Sequence, residues 1–238
     1  MRVLAIGCHP DDMEINAFGT LARCAQRGDD VIICGVTNGS GGSMTLSPEE
    51  ISAIRIKEAE NAAYTIGAKE YINLGVNDLE VDSRNQVLID QMIDVIRTAK
   101  PDYIITQYYD DYQRDHNEVS ELVFNASFMA TIPNYKTKHP AFTSVPPIFY
   151  MEPSAGNSFI ATDYVDITSV MELKMEALAC HESQVIWLKD HVGKDLLETT
   201  RATSMYRGRL SRVPYAEAFL RSNQVLRMTP YRLLPEGR

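Results

Sequence analysis

A histidine and two adjacent carboxylates follow the first apolar run of the chain. The segment CHPDDMEI, which comes directly after VLAIG, contains His9, Asp11 and Asp12. Neighbouring like charges repel each other, so we expect a bound cation to neutralise these two acids. His9 and Asp12 are three residues apart, a spacing that one turn of the chain brings to a single ion, and Pro10 stiffens the chain between them.

A second cluster of metal-ligand residue types follows a later apolar run. The segment QYYDDYQRDHN contains Asp110, Asp111, Asp115 and His116. In an open doubly wound sheet, ligands bind beyond the carboxyl ends of the strands, at the point where the strand order reverses. A strand order of 3-2-1-4-5 therefore places the two clusters in one cleft. We interpret Asp110 and Asp111 as solvated loop acids.

Two histidines and one carboxylate with an open fourth position are typical of a catalytic zinc site. We predict His9, Asp12 and His116 as the ligands of zinc, although iron suits the same residues. Asp11 would stand beside the metal-bound water and accept its proton as a general base. The alternatives are that an aspartate only caps the helix beginning near Glu14, and that His116 is a surface residue opening a helix. Capping explains one aspartate, but neither the histidine nor the second acid.

Short apolar runs alternate with longer amphipathic segments through the first 150 residues. Runs of this near-continuous apolar character are typical of strands covered on both faces of a parallel sheet. The alternation of strand and helix indicates right-handed crossovers, and so an α/β fold with a Rossmann-like, doubly wound, mostly parallel sheet. The predicted strands are residues 3–7, 31–37, 71–75, 103–107 and 148–152.

Three helices are predicted between these strands. The first begins at a capping box formed by Ser47 and Glu50, with proline at the first helical position, and runs to Gly67. The second covers residues 86–100, and the third follows His116. The glycine-rich segment after the second strand is interpreted as a flexible rim near the cleft.

The last part of the chain is predicted to consist of helices and a surface segment. A helix with Ser169 and Glu172 as a second capping box runs through DITSVMELKMEALACHESQ. Residues 189–212 are polar and basic in patches, and are interpreted as a surface excursion. The segment YAEAF fits the lining of a pocket or the apolar face of a terminal helix.

Composition and organisation predict one cytoplasmic domain. No repeat or linker divides the chain, so we expect a single domain at 1–238, with core βα units at 1–152 and C-terminal helices and a pocket-rim segment at 153–238. The net charge of −9 disfavours nucleic acid and anionic membranes as partners. Four cysteines without a CxxC motif suit a reducing compartment. The apolar run at the N-terminus is too short for a signal peptide.

Five segments together resemble the LmbE-like (PIG-L) N-acetylglucosaminyl deacetylases. They are HPDDMEI with the following FGT, RIKEAENAAYTIGA, DYQRDH, KMEALACHESQ and YAEAF. The resemblance implies a Rossmann-like fold, a divalent ion that is usually zinc, and hydrolysis of an N-acetyl group from an amino sugar. It implies the same roles for His9, Asp11, Asp12 and His116 as the residues themselves do. A homo-oligomer is expected by analogy with the family.

The resemblance also implies a set of substrate-binding residues. Arg55, in an R-x-x-E element with Glu58, resembles the substrate-binding arginine of the family, and Asp78 falls where relatives place a carboxylate that binds sugar hydroxyls. The alternative for Arg55 is a solvated helix face on which it pairs with Glu58. Tyr215 is a candidate to line the pocket.

The chain departs from the family pattern at its H-x-D-H motif. Gln113 replaces the first histidine, which in relatives is steadied by the aspartate equivalent to Asp115 and helps to stabilise the transition state or to protonate the leaving amine. Glutamine donates a hydrogen bond but cannot shuttle a proton. His181, in the H-x-S-Q motif, is the candidate for the missing role, although the dipole of a helix end alone favours a histidine there. Asn16 stands where many relatives have glycine.

These observations predict a metal-dependent hydrolase that removes the acetyl group of an N-acetylglucosamine-type sugar by attack of metal-bound water. Two alternatives stay open. One is a non-catalytic sugar- or nucleotide-binding protein on the same scaffold, which the loss of histidine at position 113 favours. The other is an amidase for a larger acyl group. The sequence does not specify the aglycone.

Overall fold

Seven strands form one sheet in the described part of the molecule. The structure, a computed structural model, describes residues 1–154 and 158–228. The strand order along the sheet is 3-2-1-4-5-7-6, which confirms the predicted α/β fold and the order of its first five strands. The strands are β1 (Arg2–Gly7), β2 (Asp30–Thr37), β3 (Glu70–Val76), β4 (Tyr103–Thr106), β5 (Ile148–Met151), β6 (Asp163–Asp166) and β7 (Ala216–Arg221).

β1 lies at the centre of the parallel part of the sheet, between β2 and β4. Its Val3 lies opposite Val31 of β2 on one side and Tyr103 of β4 on the other. Because the three strands are parallel, the loops that leave β1 and β4 emerge side by side at the carboxyl edge of the sheet. The strand order reverses at this point, where ligands bind in doubly wound folds.

Eight α-helices and one short 3₁₀ turn accompany the strands within the described residues. The predicted capping box at α3 is confirmed, since the side chains of Ser47 and Glu50 each accept a hydrogen bond from the other residue's backbone N–H. No helix in this part of the chain is both long enough and apolar enough to cross a membrane. The helices are α1 (Asp12–Asn16), α2 (Phe18–Gln26), α3 (Pro48–Thr65), α4 (Gln86–Ala99), α5 (Arg114–Met129), α6 (Met171–Ala179), α7 (Glu182–Val192) and α8 (Leu196–Ser211).

Two apolar cores cover the two faces of the sheet. Val3 and Ala5 of β1 belong to the core shared with α2, α3 and α6, and Leu4 and Ile6 belong to the core shared with α4 and α5. This division follows from the two-residue period of a strand. Burial of a large apolar side chain contributes about 1.5–3 kcal/mol, so both cores hold β1 firmly and fix the origin of the loop after it.

The helical segment after β6 differs from the prediction. The capping box predicted at Ser169 and Glu172 is wrong, because a 3₁₀ turn (Thr168–Val170) precedes α6 and no side chain caps that helix. The single helix predicted through HESQ is also wrong, because the chain breaks at His181 and forms α6 and α7. The break turns His181 inward, where it is fully buried.

The segment predicted as a surface excursion and terminal helix instead contains α8 and β7. Asp195 caps α8 by accepting a hydrogen bond from the backbone N–H of Glu198. YAEAF leads into β7, which runs antiparallel to both β5 and β6 and so joins β6 to the sheet. A run of five residues is too short for apolar spacing to distinguish a strand from a helix.

A buried ion pair connects two of the sequence segments that carry the family resemblance. Nζ of Lys174 lies 2.7 Å from Oε1 of Glu217, and both side chains are almost fully buried. Glu217 also accepts hydrogen bonds from the N–H groups of Gly19 and Thr20 at the start of α2, and Lys174 donates to the carbonyl of Ile15. The pair therefore fixes α1 and α2, which follow the HPDD segment, against α6 and β7.

Candidate metal centre and active site

Side chains from the loops after β1 and β4 converge at the carboxyl edge of the sheet. Nδ1 of His9 lies 3.2 Å from Nε2 of His116, although 107 residues separate them. Oδ2 of Asp12 lies 3.5 Å from the first of these nitrogens and 3.3 Å from the second. With Sγ of Cys8, these ligand atoms all lie within 4.8 Å of one another. The structure thus brings the three predicted ligands together.

The first turn of α5 and the loop before it hold His116 in place. His116 is buried, so the interpretation as a surface residue is excluded. Oδ2 of Asp111 lies 2.9 Å from Nδ1 of His116, and the side chain of Asn117 exchanges two hydrogen bonds with the backbone of Asp111. The prediction of Asp111 as a solvated acid is therefore wrong, whereas its neighbour Asp110 is exposed as predicted.

The other two predicted ligands also have orienting partners. Nε2 of His9 lies 3.4 Å from Oδ2 of Asp115, an oxygen that accepts a 2.6 Å hydrogen bond from the N–H of Leu79. Oδ2 of Asp12 accepts hydrogen bonds from the N–H of His9 and from the side-chain amide of Gln107. Such partners fix the orientation of metal ligands. Sequence reasoning missed Gln107, although its position directly after β4 was a signal.

The carboxylates of the cluster favour positive charge on its two histidines. Burial lowers the pKa of His116, but the carboxylates of Asp12 and Asp111 outweigh burial and raise this pKa to about 9. Burial likewise lowers the pKa of His9, and neighbouring Cys8, Asp115 and Asp12 raise it well above its usual value. The same carboxylates would stabilise a metal cation in place of the protons, so metal binding is expected to release protons.

Asp11 is adjacent to this cluster but turns towards a different partner. Its Oδ2 lies 3.3 Å from a terminal guanidinium nitrogen of Arg55. Asp11 precedes α1 without making a side-chain capping bond, so capping does not account for it. Its φ of 150° is unfavourable for a residue with a side chain. Burial raises the pKa of Asp11 to about 6, with Arg55 opposing the rise, and this value suits a general base near neutral pH.

Arg55 is buried under the loop at residues 38–42 rather than exposed on a helix face. Its guanidinium lies 3.7 Å from Asp78 and donates a hydrogen bond to a carbonyl of the loop. Asp78 accepts two hydrogen bonds from N–H groups of the loop, so the loop is anchored, in contrast to the flexible rim predicted. Glu58 accepts hydrogen bonds from Ser183 instead of pairing with Arg55. The substrate-binding roles of Arg55 and Asp78 stay predictions.

His181 lies close enough to Asp11 to oppose the rise in the pKa of that carboxyl. Its side chain is 0% exposed, and Nε2 lies 2.9 Å from Oε1 of the buried Glu14 in α1. Burial lowers the pKa of His181, but Glu14 raises it above its usual value, so a carboxylate partner rather than a helix dipole accounts for this histidine. Its Nδ1 has no hydrogen-bond partner among the described residues. Through Glu14, His181 can hold α1, the helix that follows Asp11, in position. A direct catalytic role of His181 stays a prediction.

Two other candidate residues have partners outside the metal cluster. The side-chain amide of Gln113 donates a 3.3 Å hydrogen bond to the hydroxyl of Tyr112. The ring of Tyr215 faces Arg201 at 6.0 Å, and its backbone carbonyl accepts a hydrogen bond from the N–H of Ile167. These contacts do not test the catalytic role of Gln113 or the pocket-lining role of Tyr215, and both roles stay predictions.

The residues present fit a divalent metal ion. Two imidazole nitrogens and one carboxylate oxygen, each oriented by a further polar group, are the donor set of a catalytic zinc site with room for a fourth ligand. Cys8 fits less well, because burial raises the pKa of its thiol to about 12. Its Sγ also lies next to Nε2 of His9, the ring nitrogen that does not face His116. His9, Asp12 and His116 therefore stay the predicted ligands of this candidate site.

Comparison with known proteins agrees with this geometry. The chain belongs to the PIG-L family, described as GlcNAc-PI de-N-acetylase, whose family model matches residues 4–127. It is similar to the diacetylchitobiose deacetylase of Thermococcus kodakarensis, with 28% identity over 226 residues that cover 91% of this chain and 81% of the relative. The matched family region contains the complete candidate metal cluster.

Two solved structures share the fold across almost the whole chain. The N,N'-diacetylchitobiose deacetylase from Pyrococcus horikoshii has a TM-score of 0.80 and 28% identity, and the match covers 98% of this chain and 88% of that one. The 4-carboxy-2-hydroxymuconate hydratase GalB from Pseudomonas putida has a TM-score of 0.83 and 22% identity, with 97% and 99% covered. The second likeness shows the fold alone. Because these two enzymes carry out different reactions on one fold, the reaction must be argued from the site.

Proposed function

We propose that this protein is a metal-dependent hydrolase that removes the acetyl group from an N-acetylated amino sugar. The observation that carries the proposal is the convergence of His9, Asp12 and His116, with the Asp11 carboxylate adjacent to the cluster and outside the ligand set. A protein that only binds sugar has no need of such an unligated acid. Family membership and the names of two deacetylase relatives support the choice of substrate class.

The chain's own residues provide the proton transfers of amide hydrolysis. A divalent ion held by the cluster would polarise the acetyl carbonyl and lower the pKa of the attacking water. Asp11 accepts the proton of that water and then donates it to the departing amine, so one carboxyl serves as base and as acid. Arg55 holds Asp11 in position through their buried ion pair. The products are acetate and the free amino sugar.

Several finer features belong to the same proposal. Zinc is the favoured ion and iron suits the same donors. Gln113 is a candidate to hydrogen-bond the oxyanion, since an amide N–H suffices for that role. The substrate is a small amino sugar, and nucleic acid and membranes are not partners. Four free cysteines suit a cytoplasmic protein, and a single domain that assembles as a homo-oligomer is our expectation.

Substitution of Asp11 by asparagine tests the proposal. We expect Asp11→Asn to bind metal like the wild type, because Asp11 is not a ligand, but to lose about 10²–10⁴-fold in kcat. The assay measures acetate and amine release from a panel of N-acetylglucosamine derivatives by metal-loaded protein. The matched control is Asp110→Asn, an exposed aspartate in the loop before α5.

The outcome also separates the alternatives. Release of longer acids in preference to acetate would indicate the amidase for larger acyl groups. Tight sugar binding with stoichiometric metal but no hydrolysis of any substrate would favour the non-catalytic binding protein, the alternative suggested by glutamine in place of histidine at position 113. Full turnover by Asp11→Asn would remove Asp11 from the mechanism.

A further inference from the structure

The beginning of α7 is fixed on α3, the helix that carries Arg55. The carboxylate of Glu58 in α3 accepts a 2.8 Å hydrogen bond from the backbone N–H of Ser183 and a 2.6 Å hydrogen bond from its hydroxyl. A carboxylate at this place also satisfies an N–H group that has no partner within the first turn of α7. Since Arg55 and Glu58 are neighbours on one face of α3, α7 begins close to Arg55.

Gln184, the next residue of α7, reaches the glycine-rich loop. We call residues 39–42 of this loop the glycine segment. The side chain of Gln184 is buried, and its Nε2 donates a 3.0 Å hydrogen bond to the carbonyl of Gly42, which is 142 residues away in the chain. Asp78 accepts two hydrogen bonds from N–H groups of the glycine segment. The glycine segment is therefore held both by α7 and by the loop after β3.

The glycine segment packs directly against the side chain of Arg55. A Cβ atom at Gly39 would lie 2.7 Å from Cδ of Arg55, and one at Gly42 would lie 2.7 Å from Nη1 of Arg55 and 2.8 Å from Nε2 of Gln184. Carbon atoms do not approach their neighbours so closely, so a side chain at either position would displace the guanidinium. Glycine allows the backbone to make this close approach, which leaves Arg55 only 4% exposed.

Arg55 in turn holds the segment that carries Asp11. Its Nη2 lies 3.3 Å from Oδ2 of Asp11 and donates a 3.0 Å hydrogen bond to the carbonyl of Pro10, while Nη1 donates to the carbonyl of Gly39. One planar guanidinium thus connects the glycine segment to the loop of the general base. The unfavourable φ of Asp11 persists only where surrounding contacts hold the backbone, and Arg55 supplies two of them.

We propose that Gln184 is a positioning residue for the general base: it holds the glycine segment against Arg55, and Arg55 holds Asp11 beside the candidate metal centre. The inference rests on the proposed role of Asp11. Because Gln184 is buried, it acts on the reaction through Asp11 rather than by contact with substrate. It gives the glutamine of the H-x-S-Q motif a role that is separate from that of His181.

The kinetic test uses Gln184→Met, which keeps the length of the side chain but removes its N–H donor. Gly42 is buried, so its carbonyl finds a new donor only if the glycine segment moves. We expect kcat for acetate release to fall about tenfold, with KM and Zn²⁺ affinity changed less than about twofold. In the Asp11→Asn background the same substitution should lower kcat less than about twofold, because both changes act on one group.

Two further variants support this comparison. Gln91→Met makes the same chemical change at an exposed position of α4 and is expected to leave kcat unchanged. Gly42→Ala displaces Arg55 from the other side and should lower kcat as Gln184→Met does. Unchanged kcat in Gln184→Met, or an equal fall in the wild-type and Asp11→Asn backgrounds, overturns the inference.

Crystal structures of wild type and Gln184→Met test the positioning role without an activity assay. We expect the glycine segment to shift in the variant and the contact between Arg55 and Asp11 to lengthen beyond the 3.3 Å of the native arrangement. An unchanged contact in a folded variant overturns the inference, even when wild type releases acetate. Absence of acetate release by wild type from every N-acetylated sugar overturns the proposed function instead, and the two structures still decide whether Gln184 positions Asp11.

Discussion

The carboxylate of Asp111 is expected to control the metal affinity of the site through His116. Oδ2 of Asp111 lies 2.9 Å from Nδ1 of His116, and both side chains are buried. An acceptor at Nδ1 keeps the proton on that nitrogen. The lone pair of Nε2, on the side of Asp12, is then available to a metal ion. Asp111→Asn preserves the shape of the side chain but removes its charge. Loss of such a partner weakens metal binding about 10–100-fold, or about 1.4–2.8 kcal/mol.

The assay for this prediction is competition for Zn²⁺ between the protein and a chromophoric chelator at constant pH. Asp110→Asn is the matched control, because it makes the same chemical change at the exposed neighbouring position. Circular dichroism of the metal-free proteins checks that each variant is folded. If Asp111→Asn binds Zn²⁺ within twofold of wild type, or if both variants weaken binding equally, Asp111 does not orient His116 as the structure indicates.

Three further predictions concern stability and turnover. Lys174→Met leaves the buried Glu217 unpaired and should cost about 3–5 kcal/mol of unfolding free energy in urea titrations; a loss below about 1 kcal/mol contradicts a buried pair. Burial raises the pKa of Asp94, but hydrogen bonds from Thr137 and two backbone N–H groups outweigh it and lower this pKa. The stability that Asp94 adds is therefore present above the unfolded pKa of about 3.9 and is lost as the pH falls further. The difference in unfolding free energy between wild type and Asp94→Asn should shrink in that range, and a constant difference would show that Asp94 is not linked to pH. Arg55→Lys cannot keep both the Asp11 contact and the loop contact, so kcat should fall at least about tenfold; a higher KM at unchanged kcat would instead identify Arg55 as a substrate ligand.

The sequence predicted the site correctly where metal-ligand residue types come directly after a buried strand. His9 and Asp12 come immediately after β1, and the alternation of strands and helices places β4 beside β1. These two facts suffice to predict that His116 meets the first cluster. The capping box of α3 was also predictable, because it depends only on two residues three positions apart, Ser47 and Glu50.

Other parts of the site depend on side-chain contacts that form only in the folded loops and sheet and that residue types alone do not specify. Asp110 and Asp111 are identical neighbours, yet only the second is turned inward, by its contacts with Asn117 and His116. The segment YAEAF has a spacing of apolar residues that is compatible with either a helix or a strand. The role of its Glu217 in a buried ion pair becomes visible only in the structure, where Lys174 lies next to it. Polar residues whose partners are brought into contact only by the folded loop or sheet are therefore the ones that sequence reasoning missed or misplaced.

Anomalous diffraction at the zinc edge from crystals of the zinc-loaded protein tests the central claim most directly. We expect one strong peak about 2.0–2.2 Å from Nδ1 of His9, Nε2 of His116 and an oxygen of Asp12, with Asp11 outside the coordination sphere. A peak bound by other residues, or one that includes Asp11 as a ligand, would contradict the assignment of the metal centre and of the general base.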